Sequence, residues 1–178
     1  MIDEVVIRKA GEEDAEAITR VQIRTWQTAY TGLFPADKLE TLDENFGKRS
    51  EFWREQISGS EAPLITYVAE AAGELVGFAG GSAERSGEWP YDGELNVIYV
   101  LDEYQKRGIG RRLVGAVAQA LLDQDLHSMI VWVLADSPYR VFYEALGGEY
   151  VGEQGHEVWG KTYQVAGYGW ARIEDLLT

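Results

Sequence analysis

The sequence predicts a single domain of mixed α/β class, in which helices cover a layered sheet. Its 178 residues, 46% of them hydrophobic, suffice for one domain with a sizeable core and exclude a disordered chain. Apolar residues recur at helical spacing in some segments and form short β-branched runs in others. The two kinds of segment alternate along the chain, without an internal repeat or a linker rich in proline and serine, which is typical of one layered domain.

The first third of the chain is predicted to form one short strand followed by helices. Residues 5–8 are the predicted strand, and the mostly acidic segment 11–14 suits the start of a helix. Gly32 and Pro35 are expected to end that helix and open a connection. A second, interrupted helical region is indicated by apolar residues at Leu39, Leu42, Phe46, Phe52, Trp53 and Ile57.

After residue 64 the pattern changes to strands with two further helices between them. Two apolar runs, 65–69 and 75–79, flank a turn and predict a β-hairpin, and a loop over 84–93 follows. The remaining predicted elements are a buried strand at 95–100, a helix containing residues 113–122, a strand at 129–134, a short helix from Pro138 to before Gly147, and a hairpin of 150–152 with 158–170. The pattern therefore predicts about four helices around the sheet.

The most informative segment is the turn at 105–112, between the 95–100 strand and the following helix. Gly108 and Gly110 lack a Cβ, so the backbone can turn tightly and another group can approach its N–H donors. The first N–H groups of a helix have no intrahelical partner and carry partial positive charge, so they suit an anion. In a chain of net charge -14, four basic side chains cluster here: Lys106, Arg107, Arg111 and Arg112. The segment predicts a phosphate-binding turn; a surface turn with a solvated basic patch is the alternative.

The pattern Gln105-x-x-Gly108-x-Gly110, after a strand and before a helix, resembles the acyl-CoA signature of the GNAT superfamily of N-acetyltransferases. The order of the predicted elements is similar as well. The resemblance implies a mixed, mostly antiparallel central sheet in which one parallel strand pair, 95–100 and 129–134, splays apart. The gap between these strands would admit the pantetheine arm of acetyl-CoA, the implied co-substrate, and the resemblance implies no metal.

The same resemblance assigns the cofactor contacts. They are Ile98, Tyr99 and Val100 on the strand and Gln105, Lys106, Arg107, Gly108, Ile109, Gly110, Arg111 and Arg112 in the turn. The family often has a cofactor-binding asparagine six or seven residues before a helical tyrosine, and here Asp136 and Ser137 occupy those positions. Because Asp136 would place negative charge near an anion, Ser137 is the expected contact.

Acetyl transfer to an amine requires a neutral amine, a stabilised carbonyl oxygen and a thiolate that can leave. By resemblance, Glu94 corresponds to the carboxylate that takes the ammonium proton, often through water. Residues 142–148 resemble the family's helix end, which makes Tyr143 the acid opposite the departing sulfur. The alternatives are an ordinary strand-end glutamate and a core tyrosine. Because the chain has no cysteine, direct attack in a ternary complex is favoured over a covalent relay.

Two aromatic residues, Trp26 and Tyr30, resemble a first-helix stretch that covers the acceptor site in a subset of the family. Aromatic rings there can hold an alkyl or cationic amine, although core packing is an alternative role for each. The resemblance thus implies an acetyl-CoA-dependent N-acetyltransferase acting on a small-molecule or peptide primary amine. The alternative function is a catalytically silent module that binds or senses CoA.

Composition limits the partners and the compartment. A pI near 4.5 argues against nucleic-acid binding, which needs basic surface, and mildly favours cationic substrates. The first residues lack the features of a signal peptide, and no apolar run approaches the roughly 18 residues of a membrane span. With no cysteine for disulfides, we expect a cytoplasmic protein without membrane partners. A homodimer is one expectation, because homodimers are common in the family.

One segment competes with this interpretation. Residues 155–162 formally match the Walker A pattern of nucleotide-binding loops. That loop must open a helix, whereas residues 163–170 have strand-like side chains interrupted by glycines. A hairpin turn at Gly160 and Lys161 is therefore the better explanation.

Overall fold

The computed structural model describes residues 4–59 and 61–178, which form a seven-stranded mixed sheet with flanking helices. The strands are β1 (Val5–Lys9), β2 (Ile65–Ala71), β3 (Glu74–Ala83), β4 (Gly93–Val100), β5 (Met129–Leu134), β6 (Glu149–Val158) and β7 (Lys161–Trp170). Their order across the sheet is β1-β2-β3-β4-β5-β7-β6, and β4 and β5 are the parallel pair among antiparallel neighbours. The predicted fold class is confirmed.

Five α-helices are found in the described part of the chain. They are α1 (Ala15–Ala29), α2 (Ala36–Glu40), α3 (Phe46–Ser58), α4 (Ile109–Leu122) and α5 (Arg140–Ala145). The predicted interrupted helical region divides into α2, a 3₁₀ turn at Leu42–Asn45 and α3, which explains why the count exceeds the expected four. Within residues 4–59 and 61–178, none of these helices combines the length and apolar character needed to cross a bilayer.

Helices cover both faces of β3. The buried side chains of α4 recur every three or four residues: Leu113, Val114, Val117, Ala118 and Leu121. A Cβ added at Gly81 would lie 2.5 Å from Val117 Cγ1, so α4 can pack this closely on β3 only because residue 81 is a glycine. On the opposite face Phe78 packs against Trp53 of α3, with ring centroids 5.1 Å apart. The sheet therefore lies between α4 on one side and α1 with α3 on the other.

The parallel strands β4 and β5 separate soon after they begin. Their pairing starts at Gly93 with Met129 and ends at Leu95 with Val131, although both strands continue. β4 stays paired with β3 through Val100, but its register shifts by one residue so that Asn96 forms a bulge. The implied splayed pair is thus present, and it leaves one side of β4 open beyond residue 95.

The closing hairpin is longer on its first strand than the sequence predicted. Its strands are β6 and β7, and the turn lies at Trp159 and Gly160, which have φ values of +50° and +75°. The predicted limits 150–152 and 158–170 were wrong because Gly152 does not end a strand; it lies at a register shift within β6. Residues 155–162 span this hairpin and lead directly into strand β7 rather than into a helix, so the rejection of a Walker A loop is confirmed.

We expect Gly81→Ala to lower the free energy of unfolding by about 1–3 kcal/mol, because the new Cβ would overpack against Val117 of α4. Gly47→Ala is the matched control, since a Cβ at Gly47 of α3 meets nothing within 4 Å. That change should stabilise the protein by about 0.5–1 kcal/mol, because alanine suits a helix better than glycine. Urea unfolding followed by circular dichroism measures both variants. Wild-type stability of Gly81→Ala would contradict the close packing of α4 on β3.

Candidate active site

The predicted phosphate turn joins β4 to α4 through two residues in the left-handed region, Lys106 at φ +59° and Gly108 at φ +78°. Gly108 is the N-cap of α4, and the N–H of Arg112 donates to its carbonyl oxygen over 3.1 Å. The N–H groups just before Arg112 belong to the first turn, whose donors have no intrahelical partner. Apart from its neighbours in the chain, no heavy atom lies within 4 Å of the position that a Cβ on Gly108 would take, so no other segment covers the turn there.

Gly110 serves a different purpose from Gly108. A Cβ on Gly110 would lie 3.0 Å from two ring atoms of Phe142, so its absence lets α5 pack closely against the first turn of α4. This contact helps form one wall of a cavity of about 550 Å³ that runs between the turn, the open side of β4, and α5. We call it the first cavity.

Most of the predicted cofactor contacts line the first cavity: Ile98, Tyr99, Val100, Gln105, Lys106, Gly108, Gly110, Arg111 and Ser137. Gln105 Nε2 donates to the carbonyl oxygen of Val100 over 2.9 Å, which ties the turn to the end of β4. Ser137 is buried, and its Oγ accepts the N–H of Tyr139 over 3.1 Å. Asp136 is exposed and does not line the cavity, so its charge lies away from it.

The other three predicted contacts have side chains outside the lining. The guanidinium of Arg107 lies over the Tyr104 ring, 5.2 Å from its centroid. Arg112 Nη2 donates to the carbonyl oxygen of Val5 on β1 over 2.9 Å. The Ile109 side chain is buried in the core and can offer an incoming anion only its backbone N–H. The basic cluster is therefore divided, with Lys106 and Arg111 facing the cavity.

A second cavity of about 570 Å³ lies beside α1 and α3 and contains two further predicted site residues, Glu94 and Trp26. The two cavities share five lining residues: Tyr30, Ile98, Tyr99, Val133 and Tyr143. We call this shared region the junction. It lies where β4 and β5 have diverged, so the two cavities adjoin at the separation of these strands.

Tyr143, the predicted acid, belongs to the junction. It is 7% exposed, and its ring stacks on Tyr168 of β7 with centroids 6.1 Å apart. Burial raises the pKa of the Tyr143 phenol, since the charged phenolate is poorly solvated there. The group therefore retains its proton at neutral pH and can donate a hydrogen bond or a proton to an anion that forms beside it.

Glu94, the predicted base, is half-buried at the start of β4. Burial raises the pKa of its carboxyl group, and the nearby charge of Glu84 raises it further, partly offset by Arg85. The pKa of Glu84 is lowered, mainly because Ser86 Oγ donates to its Oε1 over 2.6 Å. The environment thus shifts the pKa values of two neighbouring carboxyl groups in opposite directions, a feature common to acid–base sites. Sequence reasoning missed Glu84, because one acidic residue among 30 carries no signal without its neighbours in space.

Trp26 lies on α1 and Tyr30 caps the C-terminus of that helix; their ring centroids are 5.1 Å apart, and both line the second cavity. They also pack against a small apolar cluster around Phe34, so each ring contributes to packing as well as to the cavity wall. The hydroxyl oxygens of Tyr30 and Tyr99 are 3.0 Å apart, a hydrogen bond that the sequence did not predict.

Residues 21–148 match the family model for the Acetyltransferase (GNAT) family. The chain belongs to the GNAT family of acetyltransferases. The matched segment includes Glu94, the turn and Tyr143, and the assignment confirms the resemblance inferred from Gln105, Gly108 and Gly110. A relative from Bacillus subtilis (strain 168), the uncharacterized N-acetyltransferase YuaI, is 35% identical over 175 residues, which cover 98% of this chain and 97% of that protein.

Solved structures share the fold of this GNAT protein. PaiA N-acetyltransferase from Thermoplasma acidophilum, in complex with coenzyme A, superposes with a TM-score of 0.67 at 18% identity, covering 92% of this chain and 98% of that one. YncA from Salmonella typhimurium, with its cofactor acetyl-CoA, gives a TM-score of 0.64 at 18% identity, covering 96% of this chain and 94% of that one. At this identity the likeness concerns the fold alone.

We expect Glu84→Gln to lower the pKa of Glu94, because the substitution removes a negative charge that disfavours ionisation of the Glu94 carboxyl. Carbon-13 NMR of the glutamate carboxyl groups over a pH titration measures this, with Glu94→Gln used to assign the signal. Glu88→Gln, in the same loop but exposed, is the control and should leave the Glu94 titration unchanged. A Glu94 pKa that does not move in Glu84→Gln would contradict the charge coupling.

Proposed function

We propose that this protein transfers the acetyl group of acetyl-CoA to a primary amine by direct attack within a ternary complex. The observation that carries the proposal is the junction, where a cavity lined by the predicted phosphate turn adjoins a second cavity lined by a carboxyl group of raised pKa. The proposed site for the acyl donor and the proposed site for the amine would therefore be neighbours.

The residues of the first cavity fit the donor. The open N–H groups of the α4 turn, with Lys106 and Arg111 beside them, suit a diphosphate. Beyond residue 95, the side of β4 that faces β5 has no strand partner, so its backbone groups are available to the amides of a pantetheine arm. Two relatives of the same fold contain coenzyme A or acetyl-CoA, which supports this choice of donor.

Acetyl-CoA supplies the thioester carbonyl carbon that the amine nitrogen attacks and the thiolate that leaves. As the nitrogen–carbon bond forms and the carbon–sulfur bond breaks, Tyr143 is the group we assign to protonate or hydrogen-bond the sulfur. Its raised pKa keeps the phenol protonated beforehand. The chain has no cysteine that could carry the acetyl group, in agreement with direct attack.

Glu94 is the group we assign to remove the proton from the ammonium form of the acceptor. It lies four residues before Ile98, and so roughly 13 Å along the strand from the junction. This separation favours proton transfer through water rather than direct contact. The raised pKa of Glu94 makes it a better match for an amine than an ordinary glutamate.

The second cavity favours a cationic primary amine, either a small molecule or a peptide. Its lining has two carboxyl groups, Glu84 and Glu94, against one cation, Arg85, together with aromatic rings that include Trp26 and Tyr30. Such rings and carboxylates attract an ammonium group, and the net charge of -14 adds long-range attraction. The cytoplasmic location and the homodimer remain predictions from the sequence and the family.

We expect Arg111→Ala to weaken CoA binding roughly threefold to tenfold at low salt, since a solvent-exposed cation beside a phosphate contributes a modest, screened attraction. Arg112→Ala is the matched control, because the Arg112 guanidinium donates a hydrogen bond to Val5 of β1 and does not line the cavity. Isothermal titration calorimetry with CoA at two salt concentrations measures both. Equal affinities for the two variants would contradict the division of the basic cluster.

Thiol release during a screen of amines with acetyl-CoA tests the reaction itself. We expect turnover in the wild type and a loss of about a hundredfold or more in Glu94→Gln and in Tyr143→Phe, the usual scale for a lost acid or base. In the wild type, kcat/KM should fall as pH drops through the raised pKa of Glu94, because only its ionised form accepts a proton. A protein that acetyl-CoA stabilises against heat but that acetylates no amine would instead be a silent CoA-binding module.

A further inference from the structure

Three hydroxyl groups dominate the chemistry of the junction. Of its five residues, Ile98 and Val133 are apolar, and the polar side chains are the phenols of Tyr30, Tyr99 and Tyr143. Tyr143 already has an assigned role at the sulfur. The other two phenols have no role in the acid–base scheme, although they line both cavities.

The Tyr30–Tyr99 pair has one hydrogen-bond donor to spare. Each hydroxyl carries one proton, and the 3.0 Å bond between the two oxygens uses one of them. The second O–H finds no acceptor within the pair and is free to donate to another group. In a half-buried, largely apolar setting, a free O–H donor is a strong partner for any oxygen that acquires negative charge.

The order of the bond decides which phenol carries the spare donor. Either hydroxyl can be the donor over this distance. If Tyr99 donates to Tyr30, the spare O–H belongs to Tyr30. The Trp26 ring packs against both phenol rings, with centroids 5.1 Å from Tyr30 and 6.4 Å from Tyr99, and so limits how far the pair can move.

We propose that Tyr99 donates its O–H to Tyr30 and that Tyr30 donates its own O–H to the acetyl carbonyl oxygen, which makes Tyr30 a catalytic residue and Tyr99 the positioning residue that fixes its direction. The inference rests on the proposed acetyl transfer. As the nitrogen–carbon bond forms, the carbonyl electron pair moves onto the oxygen, and the hydrogen bond from Tyr30 strengthens. When the carbon–sulfur bond breaks, the electron pair returns to the carbonyl, and Tyr30 keeps its proton throughout.

Kinetics distinguish this role from acceptor binding. Tyr30→Phe should lower kcat roughly tenfold to a hundredfold, the scale for one lost donor to a developing oxyanion, with little change in the KM of the amine. Tyr99→Phe should lower kcat less. Adding it to Tyr30→Phe should cost nothing more, because Tyr99 acts only through Tyr30. Tyr163→Phe is the matched control; this tyrosine packs on Phe34 outside both cavities and should turn over like the wild type.

A measurement on bound acetyl-CoA, which needs no turnover, tests the hydrogen bond from Tyr30 directly. Infrared difference spectra of bound acetyl-CoA, carbon-13 labelled at the acetyl carbonyl, should show a higher stretching frequency in Tyr30→Phe than in the wild type or in Tyr163→Phe. Identical frequencies, full kcat in Tyr30→Phe, or a change confined to the KM of the amine would each overturn the inference while leaving acetyl transfer intact. A wild type that acetylates no amine would remove the proposed function and this inference with it.

Discussion

The separation of β4 from β5 after Leu95 is the constraint on which the site depends. While the strands are paired, each satisfies the backbone groups of the other, and no passage exists between the two faces of the sheet. Beyond Leu95, β4 keeps β3 as its partner on one side and faces open space on the other. The bulge at Asn96 accompanies this change, and its side chain is held by the Ser82 hydroxyl over 3.0 Å. The opening is therefore built into the sheet and does not depend on a flexible loop.

Much of this architecture could be predicted from the sequence, because most elements bury a single face. The β-branched run of β4 and the three- to four-residue spacing of α4 both indicated their elements before any contact was known. Glycines were the main source of error. Gly152 resembles a strand end in the sequence, but in the structure it lies at a register shift inside β6. A glycine permits a turn, a bulge or a close approach equally well, and only the neighbouring chain decides among them.

The site itself was only partly predictable. The turn could be recognised from the spacing of Gly108 and Gly110, but the direction of its basic side chains could not. Arg111 and Arg112 are adjacent in the sequence, yet consecutive helical residues project about 100° apart, so one lines the cavity and the other bonds to β1. The effect of Glu84 on Glu94 depends on a loop folding back beside the start of β4. Such pairings arise from tertiary structure and leave no periodic signal.

The three regions of the site differ in charge in a way that fits both reactants. The α4 turn, with Lys106 and Arg111, is positive within a strongly acidic chain, whereas the second cavity is lined by two carboxyl groups, Glu84 and Glu94, against one cation, Arg85. A diphosphate and an ammonium group would each be attracted to a different end. Between these ends the junction offers neutral phenols, whose pKa values are raised by burial. Neutral donors attract a carbonyl oxygen without drawing either charged group towards the middle. In the proposed reaction, this arrangement would hold the diphosphate at one end and the ammonium group at the other, while the thioester carbon and the amine nitrogen meet between them.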